Sequence, residues 1–96
     1  MNQYDFISVI DGYDLNNLKQ NGFYRAGFYN QCSNVPTATE NGNPQTYGFT
    51  LIVTSNDSSN IQQLLLPRAN SSSPNSTKPA YRVFEDYFGW TMWNWL

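Results

Sequence analysis

Apolar and polar positions alternate most clearly between residues 47 and 54. Phe49, Leu51 and Val53 fall on one side and Thr50, Ile52 and Thr54 on the other, the two-residue period of a half-buried strand. Ile61 to Leu66 predicts a strand that follows it through a turn at Asn56 to Ser59, because Asn-Asp-Ser-Ser between two apolar runs is hairpin chemistry. A further strand is predicted upstream, where Phe23, Tyr24, Phe28 and Tyr29 interleave with small residues after Gly22, and another downstream at Tyr81 to Phe84. Asp14 stands before Leu15 and Leu18, with Gly22 beyond, which predicts one N-capped helical turn stopped by glycine. The first ten residues, with Phe6, Ile7, Val9 and Ile10, read as an extended segment docked on something or joining a larger assembly. The division that follows is a segment or linker over 1–10 and one β domain over 11–96. The fold class is all-β or β-rich, a small antiparallel sheet or sandwich with one short N-terminal helical turn.

Between these elements lie two stretches dense in turn formers. Residues 30–46 hold a Gly42-Asn43-Pro44 turn, and residues 67–79 carry four Ser, two Asn and three Pro. Both read as loops, where binding residues often sit. At 96 residues the chain closes one hydrophobic core and not two.

Composition narrows the chemistry. Only 12% of residues are charged, about half the usual share, while Asn, Ser, Thr and Gln supply 35 of the 96. A surface of neutral hydrogen-bonding groups suits neutral hydrogen-bonding partners, glycans among them. The net charge is −2 and the cations Lys19, Arg25, Arg68, Lys78 and Arg82 form no run, so the electrostatic footprint of nucleic-acid binding is missing. No apolar run approaches the roughly 20 residues of a membrane span, and the N-terminus has no signal pattern, so the chain reads as soluble and unprocessed. A lone Cys32 cannot form an internal disulfide and reads as a buried or idle thiol, consistent with assembly in a bacterial cytosol.

Histidine is absent, which removes the commonest general base and metal ligand. Glu85 and Asp86 are adjacent and would point to opposite faces of a strand, so they make a poor catalytic pair, and Asp11 and Asp14 sit at turn positions that capping explains. Asp11-Gly12-Tyr13-Asp14 lacks the further oxygen ligands that calcium needs. The reading is non-enzymatic, with no cofactor and no metal.

An ordered set of short elements carries more information than any one of them. Asp14-Leu15-Asn16 with Leu18 is followed by Gly22-Phe23-Tyr24, Asn34-Val35-Pro36, and Gly48 with Leu51 and Val53. Then come Ile61-Gln62-Gln63, Tyr81-Arg82, and Gly89-Trp90-Thr91 with Trp93 and Leu96. This succession resembles the pyocin knob domain of phage and pyocin tail fibres, whose pattern runs Asp-Leu-Asn, Gly-Phe-Tyr, Asn-Ala-Pro, a strand, a Gln-bearing strand, an Arg and a Trp-X-X-Trp closure. The similarity covers about residues 11 to 96. Val35 departs from the small residue of the third element, the loops at 37–46 and 67–79 are this chain's own, and Trp95 replaces a polar residue in the closure.

The resemblance implies a knob module in a virion, assembled in the host cytoplasm as a homotrimer or with other fibre proteins, and contacting a host surface polysaccharide. The alternative is a structural virion protein without receptor contact, serving as a fibre spacer or trimerisation unit, or as a head or baseplate decoration. Candidate glycan-binding residues are Trp95, Tyr47, Tyr29 and Arg82. Each has a packing alternative: Trp95 as a core cap or interface residue, the tyrosines as cross-strand neighbours, and Arg82 stacked on Tyr81 or Phe84 or paired with an acid. Trp90 and Trp93, three residues apart, read as core braces.

Overall fold

The computed structural model describes residues 7–10, 12–27, 32–36, 48–67 and 78–96. They form one mostly antiparallel sheet. Its strands are β1 (Ile7–Val9), β2 (Gly22–Ala26), β3 (Phe49–Asp57), β4 (Asn60–Pro67), β5 (Ala80–Glu85), β6 (Gly89–Trp90) and β7 (Asn94–Trp95). Strands β1 to β6 lie in chain order, and β7 continues the line of β6 along the free edge of β5, where Trp90 pairs with Phe84 and Trp95 with Ala80. The β class expected from sequence is therefore what forms, as a single sheet rather than a sandwich among the described residues. One pairing departs from the antiparallel expectation: β1 lies parallel to β2, with Ile7 opposite Phe23.

The strands sit close to where alternation places them. β3 runs on to Asp57 because the hairpin turn is only Ser58-Ser59, with a register shift between Ser55 and Asp57. The Asp57 carboxylate accepts the Ser59 N–H at 2.8 Å and the Ser59 hydroxyl at 2.6 Å, and these two bonds, the hydroxyl first, hold its carboxyl below the usual value. The first long strand ends at Ala26, and Phe28 and Tyr29 lie outside the described residues. The Gly42-Asn43-Pro44 turn and residues 68–77 lie outside them too.

Alternation gives the sheet an inner face of Ala26, Phe49, Leu51, Val53, Ile61, Leu65 and Ala80, all buried. Among the described residues it is covered not by a second sheet but by short segments. Ile10, Leu15, Leu18, Cys32 and Val35 come from the chain on either side of β2, and Trp90 and Trp93 from the closing segment. Leu15–Asn17 forms the expected single helical turn, of the 3-10 type, with Asp14 as its N-cap accepting the Asn16 N–H at 2.9 Å. The Cys32 thiol is buried and donates to the Ile10 carbonyl at 3.3 Å. Gly48 enters β3 so close to β2 that a Cβ there would run into the carbonyl oxygen of Ala26, which explains the glycine.

Candidate functional site

The residues that sequence reasoning singled out divide between interior and surface. Two polar side chains are buried in the inner face, Gln63 on β4 and Arg82 on β5, and they face each other in register. The Gln63 amide nitrogen donates to the carbonyls of Leu15 (2.8 Å) and Leu18 (2.9 Å), and its oxygen accepts the Nε–H of Arg82 at 2.9 Å. One side chain thus gives the Leu18 carbonyl a partner, adds a second hydrogen bond to the Leu15 carbonyl, which also accepts the Leu18 N–H, and orients a buried cation.

The Arg82 guanidinium lies between two indoles, 4.0 Å from the ring centroid of Trp90 and 4.6 Å from that of Trp93. Trp90 packs on Phe84 at 5.3 Å, and the Lys19 ammonium stands 4.1 Å from the Phe84 ring, so this pair of rings carries a cation at either end. Burial pulls the Arg82 pKa down to about 10, with the Asp14 carboxylate opposing the shift. The indole N–H groups anchor the cover: Trp90 Nε1 donates to the Asn16 carbonyl at 3.3 Å and Trp93 Nε1 to the Asn34 carbonyl at 2.9 Å. Asn34, in the left-handed region at φ 60°, sends its amide to Asp14 at 2.7 Å. That bond first, and the Asn16 N–H second, hold the Asp14 carboxyl below its usual value.

Asp14, Asn34, Gln63, Arg82, Trp90 and Trp93, far apart in sequence, thus meet in one network whose work is to clamp the helical turn and the 32–36 segment onto the sheet. Arg82 stacks on the two tryptophans, not on Tyr81 or Phe84. Of the other candidate glycan residues, Trp95 is half-buried on β7 at the Ala80 end of β5. Tyr29 and Tyr47 lie outside the described residues.

The surface offers a feature at the opposite end of β5. Tyr87 and Phe88, in the turn to β6, are 86% and 80% exposed, with their rings edge to face at 5.2 Å. The turn beneath them is locked. The Glu85 carboxylate accepts the N–H of Tyr87 at 2.9 Å and of Phe88 at 3.2 Å, Phe88 N–H also reaches the Glu85 carbonyl, and Gly89 closes the turn at φ 84°. Asp86 N–H donates to the Ser59 carbonyl at 2.9 Å, which ties this turn to the β3–β4 turn beside it. Two bare rings are therefore carried on a turn tied through its backbone to the one that bears Asp57, Ser58 and Ser59. Sequence reasoning did not single out this pair; the Glu85-X-X-X-Gly89 spacing around two adjacent aromatics was the available signal.

A groove of about 510 Å³ lies along β2 and β3, lined by Asn21, Phe23, Ile52, Thr54 and Ser55. Ser55 donates to the Asn21 side-chain oxygen at 3.0 Å across it.

No family model, curated protein or solved structure matches this chain. No helix among the described residues is long and apolar enough to cross a membrane.

Proposed function

We propose that this chain is a knob-like attachment module of a phage or phage-derived tail fibre, part of the virion, that contacts a host-surface glycan without catalysing a reaction. It acts as a homotrimer or beside other fibre proteins. The observation that carries this reading is the Tyr87–Phe88 pair. Rings that could have been buried are held bare on a locked turn, and a bare ring offers a flat apolar face to the C–H face of a sugar while neighbouring hydroxyls and carboxylates take its hydroxyl groups. The Glu85 carboxylate is engaged by the turn's own N–H groups, which favours a display role over acid–base chemistry. The meeting of the motif residues in one network supports the knob resemblance, since it gives those scattered positions a common structural purpose.

A purified sample tested against bacterial cells and surface polysaccharides, beside Tyr87→Ala/Phe88→Ala and Trp95→Ala, examines the proposal. Binding lost in the double variant with the fold intact supports it. A specific observation favours the second reading, a structural virion protein: the outer sheet face is unusually apolar. Absence of binding by correctly folded wild-type protein would turn the assignment to that reading.

A further inference from the structure

The outer face of the sheet breaks the polar-out rule of a sheet with one solvated side. Register aligns Phe23, Ile52, Leu64 and Tyr81 into a single row across β2, β3, β4 and β5. Phe23 is 47% and Tyr81 41% exposed, and Leu66 stands beside the row at 40%. Thr50, Thr54, Gln62 and Val83 fill most of the rest, with Arg25 and Glu85 at opposite margins.

We infer that this face is where one copy of the chain packs against another. Size is the first reason. Four strands about 4.8 Å apart and five to nine residues long, about seven on average, cover roughly 19 by 23 Å, or about 440 Å². Two such faces bury about 900 Å² in all, the scale of a weak, concentration-dependent association. Order is the second. Across these four strands the row runs aromatic, aliphatic, aliphatic, aromatic in either direction, with Ile7 of β1 and Asn94 of β7 next in register beyond its two ends. A twofold axis along the strands therefore sets Phe23 of one copy on Tyr81 of the other and Ile52 on Leu64, the self-complementarity that an isologous contact requires. A ring of three copies can line its axis with the same row. The inference names the surface behind the self-assembly proposed above and rests on that part of the reading alone.

Sedimentation velocity of the intact chain over a wide concentration range, with circular dichroism to confirm folding, is the test. The expected result is a multimer of the 11.0 kDa chain that is lost in Leu64→Asp and in Tyr81→Lys. Tyr81 is exposed enough to be replaced without unfolding the chain, so the second variant decides the matter if the first is unstable. A wild-type monomer at every concentration, or a multimer that survives Tyr81→Lys in a folded chain, overturns the inference. Glycan binding by a strict monomer would overturn this inference and leave the attachment reading standing.

Discussion

Gln63 and Arg82 oppose each other on neighbouring strands with both side chains buried, and the 2.9 Å bond from Arg82 Nε to Gln63 Oε1 joins the sheet's interior to the helical turn that covers it. Replacing Gln63 by Leu keeps the volume but strands the Leu18 carbonyl and the Nε–H of Arg82, and leaves the Leu15 carbonyl with the Leu18 N–H alone. Each buried polar group left without a partner costs about 1–3 kcal/mol, so Gln63→Leu is expected to destabilise the fold by about 3 kcal/mol or more. Urea denaturation followed by tryptophan fluorescence measures it.

Arg82 depends on a planar cation between two indoles, which an ammonium does not reproduce. Arg82→Lys is expected to lose about 1–3 kcal/mol through the lost stacking and the lost Nε bond. The near-ultraviolet circular dichroism of Trp90 and Trp93 should weaken at the same time, while the far-ultraviolet sheet signal stays.

Acid sensitivity should trace in part to Asp14. Its carboxyl titrates lower in the folded chain than its ordinary 3.8, held down first by Asn34 and then by Asn16 N–H. A depressed folded value means the contribution is whole above 3.8 and is lost as pH falls through the folded value. Asp14→Asn is expected to be less stable at neutral pH and to show a shallower loss of stability below 3.8 than the wild type, measured by urea midpoints across acid pH. Asp57, shifted in the same direction by Ser59, leaves a residual slope in that variant.

Gly48 is required by proximity rather than by an unusual backbone angle. Since a Cβ at this position meets the Ala26 carbonyl oxygen, Gly48→Ala must push β2 and β3 apart. Overpacking of this kind costs about 1–3 kcal/mol, and the upper part of that range is expected because the obstacle is backbone. Thermal unfolding measures the loss.

Much of the fold is legible because its signals are local. Alternation at Phe49 to Val53 and at Ile61 to Leu65 depends only on neighbours along the chain, and the Asp14 cap only on the next two residues. What is not legible arises from register. Phe23, Ile52, Leu64 and Tyr81 become one row only when four strands are aligned, and the three-residue β1 finds its parallel partner 16 residues away. Arg82 looked available for a ligand because nothing near it in sequence shows that Gln63 opposes it and that Trp90 and Trp93 close over it. Tyr87 and Phe88 sit just past a strand, and only the turn's hydrogen bonds show that their rings face solvent.

The most direct test of the attachment reading is a heteronuclear NMR titration of the labelled protein with a surface polysaccharide of a bacterium it adheres to, mapping which backbone amides shift. The structure leads us to expect saturable shifts centred on 85–89 and the adjoining 57–60 turn, abolished in Tyr87→Ala/Phe88→Ala. Shifts centred elsewhere, or saturable binding unchanged in the double variant, would contradict the assignment of the site to that turn.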